Sequence, residues 1–391
     1  MASTGKVAFV TGGNGISGNA LVERLIRTPS DEWSRIIVTS KSSLIERWQD
    51  PRIEFIALDF LEPVDLIIGR MTPICQSVTH AFFTSYVHSE DFAELPAYNI
   101  PLFKNFLTAI DTVAGKSLQR VCLQTGAKNY GLHLGPMAMC PAPEDCPRYD
   151  DKGQNFYFSQ EDYLFGLAAQ RDWSYSVIRP KAIIGYSPSK NGISESITLA
   201  LYFLICRELG EEARFVGNSF FWNSTDDQSY APSLADMTVW AMTNQDTQNQ
   251  VFNHANGDVV VWRYLFPKLA AHFGATPEYP TFSEPGAYER AVPPFRISEW
   301  AMDKREVWHR ICDKYGGKKE VFDWATWDAM EWVGSMTWLS LISLKKARKF
   351  GWTRVDDTYE TWLQTYKTYE MAGTLPPHDG GAPPQPKNAQ K

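Results

Sequence analysis

This 391-residue sequence lacks a long hydrophobic run. The longest, Ile197 to Cys206, is too short to cross a bilayer. The first apolar stretch, Val7 to Val10, breaks straight into glycines, so it reads as a strand and not as the core of a signal peptide. Positive charge is in deficit. With 38 Lys and Arg against 45 Asp and Glu, the net charge is −7, which argues against nucleic acid or an anionic membrane as partner. Among six cysteines there is no Cys-x-x-Cys pair. Cys140 and Cys146 share a proline-rich loop and could pair, but reduced thiols and a cytoplasmic location are the simpler expectation. No metal is expected, and no internal repeat is visible. Aromatic residues, by contrast, are plentiful: 14 Trp, 17 Tyr and 22 Phe suit a large core and an apolar pocket.

The stretch Val7 to Gly18 organises the chain. A short apolar run ends in Gly12, Gly15 and Gly18, spaced G-x-x-G-x-x-G, and Asn19 to Ile26 then places apolar residues at helical spacing. Strand, glycine turn and helix together make a dinucleotide-binding unit. Gly12 allows the tight turn, Gly15 lets backbone N–H groups approach a pyrophosphate, and Gly18 lets the helix pack close to the strand. Thr11, Asn14 and Ile16 share this loop, and the helix start offers free donors to the phosphates.

Further strands are expected at Arg35–Thr39, Ile53–Asp59, Thr79–Ser85 and Gln119–Gly126, with a helix over Asn99–Ala114. Alternation of strands and helices makes a parallel, doubly wound sheet, whose ligands bind beyond the carboxyl ends of the strands. An acidic residue at the end of the second strand would suit the ribose of NAD; Ser40, Lys41 and Ser42 stand there instead and suit the 2′-phosphate of NADPH. Asp59, followed by Phe60, could bind the adenine amino group or cap the next turn. Thr84, Ser85, Tyr86, Gln124 and Thr125 sit at strand ends, and Pro180 and Ile183 at the exit of the strand that begins at Tyr175. Beyond Tyr186 the pattern gives a helix over Ile193–Leu209, a strand at Arg214–Gly217, a helix over Ala231–Thr243, a strand at Gln250–His254 and a helix over Val260–Phe273. Gly274 to Arg296 is a Pro- and Gly-punctuated connection. Helices carrying Trp300, Trp308, Trp324, Trp327, Trp332 and Trp338 then form a smaller lobe. The expected organisation is α/β: a Rossmann-type domain over 1–190 to which 231–273 return, a mostly helical substrate-binding lobe from 191–230 and 274–372, and a disordered proline-rich tail over 373–391.

A short-chain dehydrogenase normally carries Tyr-x-x-x-Lys on one helix. Here Tyr186/Lys190 and Tyr264/Lys268 have that spacing, but each encloses a proline, and neither follows the fifth strand. Tyr157 lies where the helical tyrosine should be, yet Glu161 stands four residues on. Two other motifs fill the gap. Gln124-Thr-Gly-Ala-Lys128-Asn-Tyr130 with Gly135-Pro136 resembles the lysine motif, and Asn155-Phe-Tyr157-Phe-Ser-Gln-Glu161-Asp162 the tyrosine motif, of the progesterone 5β-reductase/iridoid synthase-like (PRISE-like) reductases, an atypical group of short-chain dehydrogenases. The opening glycines, Arg179-Pro180, Gly185-Tyr-Ser-Pro188 and Asn256-Gly-Asp258 extend the resemblance over most of the first 275 residues. It departs at Asn129, where the family often has His, and at Lys181-Ala182, where it often has Gly-Asn.

The resemblance implies that Lys128, from the loop after the fifth strand, and Tyr157, from the later helix, are catalytic, with NADPH as cofactor and the C=C bond of an enone or enal as target. Tyr157 would donate to the enolate oxygen while Lys128 kept it acidic and touched the nicotinamide ribose. The implied partner is a small apolar carbonyl compound of specialised metabolism, with a homodimer as the expected oligomer. The same residues could reduce a ketone or imine, and a non-redox catalyst or scaffold on this fold is a third reading.

Overall fold

The structure is a computed structural model and describes residues 5–46, 48–89, 91–280 and 292–380. In chain order the first half consists of β1 (Lys6–Val10), α1 (Ile16–Ile26), β2 (Trp33–Ser40), β3 (Ile53–Ala57), α2 (Val64–Cys75), β4 (His80–Phe83), α3 (Leu95–Ala114), β5 (Arg120–Gln124), α4 (Phe156–Ala168) and β6 (Ser174–Pro180). Then come β7 (Ile183–Ile184), α5 (Glu195–Leu209), α6 (Ser219–Asn223), β8 (Thr225–Asp226), β9 (Ser229–Tyr230), α7 (Ala231–Thr243) and β10 (Gln250–His254). After β11 (Val260–Val261) the remainder is helical: α8 (Trp262–His272), α9 (Ile297–Ala301), α10 (Arg305–Tyr315), α11 (Trp327–Gly334), α12 (Lys345–Lys349) and α13 (Thr358–Met371).

Seven strands form one sheet in the order β10-β6-β5-β4-β1-β2-β3, all neighbours parallel. The strands are near-continuous apolar runs because helices cover both faces. On one face, Phe9 and Phe83 of the sheet pack against Ile67 and Met71 of α2 and Phe103 and Phe106 of α3. On the other, Val10, Leu21, Val38 and Phe82 pack beneath α1 and α7. A third cluster, built on α5 with Trp262, Trp308 and Trp362, is the core of the C-terminal lobe. The strand order reverses between β1 and β4, which opens a crevice at the carboxyl ends of those strands.

Two expectations fail. Arg214–Gly217 is not a strand; only Ala213 makes a single bridge, to Pro277. Phe215 and Val216 are buried in the lobe core, and among the described residues no strand pairs with them. The tail expected to be disordered from Gly373 is packed as far as Gly380. Thr374 and Leu375 are buried, Thr374 accepts a backbone hydrogen bond from Lys318, and Pro376 lies against Gly317, where a Cβ would come within 3.1 Å of the proline ring. Residues 381–391, and residues 281–291 of the proline-punctuated connection, lie outside the described residues.

No disulfide joins Cys140 to Cys146; all six cysteines are free thiols. Among the described residues no helix is long and apolar enough to cross a membrane. His272, Glu370 and His378 bring their polar atoms within 4.8 Å of one another. The two imidazoles stack, with centroids 4.1 Å apart and planes inclined by 15°. Stacked rings send their nitrogen lone pairs along parallel planes rather than toward one point, so this is a stacked pair with His378 Nδ1 on Glu370 at 3.0 Å.

Candidate functional site

A cavity of about 590 Å³ runs through the crevice, from the ends of β2 and β3 to the underside of the C-terminal lobe. Gly12, Asn14, Gly15, Ile16, Ser40, Lys41, Asp59, Phe60, Thr84, Ser85, Gln124, Thr125, Lys128, Tyr157, Pro180 and Ile183 all line it. Two expected site residues do not. Thr11 is buried beneath the cavity, where its hydroxyl accepts from the Thr84 N–H at 3.0 Å. Ser42 stands behind Asn14.

The glycine turn behaves as its spacing requires. Gly12 has φ +69°, and a Cβ on Gly18 would lie 2.2 Å from the Gly12 carbonyl, so the helix can start this close only without one. No side chain caps α1 and its first turn holds no acidic residue, which leaves its N–H groups free for a phosphate. Asn14 is a strut and not a free ligand group. Its Nδ2 donates to the Ser40 and Ser42 hydroxyls at 3.1 and 3.3 Å, and its Oδ1 accepts from the Ile45 N–H at 3.0 Å. The two serine hydroxyls keep their own protons to donate. Lys41 pairs with Asp59 at 2.8 Å, its side chain 78% exposed; Asp59 also caps the next turn through the Leu61 N–H at 3.0 Å.

At the other end, β5 delivers Gln124, Thr125 and a one-turn 3₁₀ helix, Ala127–Tyr130, that carries Lys128. Gln124 Nε2 donates to the Ser17 hydroxyl at 2.6 Å, while the buried Thr125 hydroxyl has no partner. Tyr157 stands in the first turn of α4, whose cap Asn155 accepts from the Tyr157 N–H at 3.2 Å. Its hydroxyl lies against Gly126, 3.3 Å from where a Cβ would be, and has no hydrogen-bond partner among the described residues. The expectation that Lys128 acidifies Tyr157 is not met. Lys128 Nζ donates to the Tyr86 hydroxyl at 3.2 Å and rests over the Phe92 and Tyr86 rings at 4.6 and 5.4 Å. Burial pushes Tyr157 well above the ordinary tyrosine value, with Tyr86 adding to the effect. Burial also brings Lys128 down to about 8. Tyr157 is therefore a neutral phenol that can donate, and Lys128 a cation that is easily discharged.

The remaining motif residues hold these two in place. Glu161 Oε1, buried in α4, accepts from Arg179 Nη2 at 2.8 Å and from Asn129 Nδ2 at 3.0 Å. Arg179 Nη1 reaches the Tyr130 hydroxyl at 3.1 Å, and that hydroxyl donates to Asn253 Oδ1 at 2.5 Å. The residues flanking Lys128 are thus tied to α4, β6 and β10 at once. Lys181, where the sequence departs from the family pattern, is buried and paired: its Nζ bonds Asp226 and, at 2.8 Å, Asp227.

Tyr86, Glu195, Asp226, Trp332, Val333 and Met336 line it as well. Of these the strand-end rule singled out only Tyr86 and the tryptophan pattern only Trp332. The cradle suits a nicotinamide dinucleotide on three observations: an uncapped helix start, a glycine turn that a Cβ would fill, and the unpartnered Thr125 hydroxyl.

A family model described as a PRISE-like Rossmann-fold domain matches residues 8–366. The chain is 44% identical over 377 residues, 95% of its length and 99% of the relative's, to the short chain dehydrogenase gsfE of Penicillium aethiopicum. It is 30% identical, over 93% of its length and 92% of the relative's, to the (S)-8-oxocitronellyl enol synthase ISY1 of Nepeta cataria. To the 3-oxo-Delta(4,5)-steroid 5-beta-reductase of Arabidopsis thaliana it is 29% identical, with 93% and 92% covered. Among solved structures, the Bordetella bronchiseptica enzyme WbmG in complex with NAD superposes with a TM-score of 0.62 at 16% identity, over 95% of this chain and 96% of that one, a likeness of fold.

Proposed function

This chain belongs to the PRISE-like Rossmann-fold family, and from that premise we propose that it is an NADPH-dependent oxidoreductase that reduces the C=C bond of a small apolar enone or enal in the cytoplasm. One observation carries the reading: a single cavity holds the glycine turn and Lys41 at one end and Lys128, Tyr86 and Tyr157 at the other, beneath Trp332, Val333 and Met336. The names of two relatives support it, since a 3-oxo-Delta(4,5)-steroid is an enone and an 8-oxocitronellyl enol is what conjugate addition of hydride leaves.

When bound, NADPH supplies the hydride. The chain's own residues do the rest. The start of α1 holds the pyrophosphate, and Lys41 with the Ser40 hydroxyl takes the 2′-phosphate once Lys41 leaves Asp59. Tyr157, whose proton burial holds on, donates to the substrate carbonyl, where negative charge grows as the β-carbon is reduced. One such preorganised donor contributes roughly 3–4 kcal/mol in the transition state. Lys128, fixed by Tyr86 beside that oxygen, adds positive charge. Trp332 and Met336 close the apolar end against water. The reading is tested by NADPH consumption against a panel of enals, cyclic enones and simple ketones with product analysis. Saturated carbonyl products support it, and alcohols from ketones alone overturn it.

A further inference from the structure

The same cavity contains an acidic group that the reaction does not use. Glu195 opens α5, is 7% exposed, and lines the cavity beside Lys181, Asp226, Ile193 and Met336. Its Oε2 is buried and has no partner among the described residues, whereas the other buried carboxylates there are engaged: Glu161 by Arg179, Asp227 by Lys181. An unpaired buried polar atom costs about 1–3 kcal/mol. Such an atom in a native structure calls for an explanation, and at the wall of a cavity a bound group is one.

The charges around Glu195 decide its form. Lys181 is the nearby cation, and Asp226 and Asp227 both hold it, so the cluster is already one negative charge in excess. Burial, then the Asp226 charge, push the Glu195 carboxyl up to about 8, against the pull of Lys181 and of the free N–H groups at its own helix start. From α13, the neutral Tyr366 hydroxyl is also buried and unpartnered. At neutral pH Glu195 is a carboxylic acid and can donate as well as accept.

We propose that Glu195 is the specificity-determining contact for a second oxygen of the substrate, a neutral hydroxyl, carbonyl or ether group distinct from the carbonyl taken by Tyr157. The proposal rests on the reductase reading above and narrows its substrate class to neutral, doubly oxygenated enals and enones. Substrates bearing a carboxylate are disfavoured, because Asp226 and Asp227 outnumber Lys181. A site with a buried polar group discriminates strongly against the analogue lacking its partner.

The probes are (E)-cinnamaldehyde and (E)-4-hydroxycinnamaldehyde, with wild type, Glu195→Gln and Glu195→Leu compared by kcat/KM and by product. The expected result is that wild type favours the hydroxylated probe at least about tenfold, that Glu195→Leu brings the ratio near one, and that Glu195→Gln, which keeps a donor of the same shape, retains most of it. A wild-type ratio near one, or a ratio unchanged in Glu195→Leu, overturns the proposal while leaving the reductase reading intact. Equal loss on both probes in both variants assigns Glu195 a structural role and also overturns it. No NADPH consumption by wild type with either probe overturns the reductase reading itself and the proposal with it. Infrared difference spectra of wild type against Glu195→Gln are expected to show a protonated carboxyl at pH 7, and a carboxylate there contradicts the proposal.

Discussion

Lys128 Nζ stands 3.2 Å from the Tyr86 hydroxyl, and the Tyr157 hydroxyl is left with no hydrogen-bond partner among the described residues. In a helical Tyr-x-x-x-Lys pair, one turn sets the two side chains together. Here the lysine comes from the loop after β5 and the tyrosine from α4, and Tyr86, from the end of β4, takes up the lysine. On the proposed reading Tyr157 is a phenol held ready to donate, with its proton retained by burial.

Replacing Tyr157 with Phe separates that role from packing. Turnover is expected to fall by about two to three orders of magnitude, the usual cost of one oxyanion donor. The NADPH dissociation constant is expected to stay nearly unchanged. The melting temperature should hold or rise slightly, because the hydroxyl has no partner to lose. A Tyr157→Phe enzyme with full turnover would remove this residue from the chemistry.

Lys128 gives the pH dependence. Its value is lowered to about 8 by burial, so the charged form prevails below pH 8 and is lost as pH rises through it. The free-enzyme profile, kcat/KM, is expected to be level near pH 6–7 and to fall above about pH 8. Lys128→Met should lower the plateau and abolish this limb. A wild-type profile level to pH 10 would contradict the assignment.

Cofactor preference turns on Lys41. Its bond to Asp59 is solvent-exposed and easily exchanged, whereas a 2′-phosphate offers it a more highly charged acceptor. NADPH is expected to bind about tenfold or more tighter than NADH, and Lys41→Glu to erase the difference. Titration of both cofactors by fluorescence or calorimetry measures it; equal binding by wild type would contradict it.

The buried pair Glu161–Arg179 is expected to matter through structure. Glu161→Gln leaves the Arg179 charge buried and uncompensated, at a cost of about 3–5 kcal/mol. A melting temperature lower by several degrees is expected, together with reduced turnover, since Asn129 and Tyr130 on either side of the pair's network carry Lys128. A melting temperature within a degree of wild type would show that the network does not hold the loop.

What the sequence disclosed follows the range of each signal. The glycine turn, Lys128 and Tyr157 are local patterns, and the structure brings all three to one cavity. Asn14, Ser40 and Ser42 were found by position, but their mutual hydrogen bonds were not, because the loop after β2 folds back onto the glycine turn only in three dimensions. Glu195, Asp226 and Met336 come from segments far along the chain, and no local spacing marks them. The pairing of Lys181 was not legible because its two carboxylate partners lie 45 and 46 residues away. Arg214–Gly217 shows the converse error: an apolar run signals burial, and becomes a strand only where an edge is open to pair with it.

The most direct test of conjugate reduction is to follow the hydride itself. The enzyme is supplied with NADPH deuterated at the transferred position and an enal, and the product is read by NMR. The expected product is a saturated aldehyde with deuterium on the former β-carbon. Deuterium on the carbonyl carbon of an allylic alcohol would contradict conjugate reduction and make Tyr157 the donor of an ordinary carbonyl reductase.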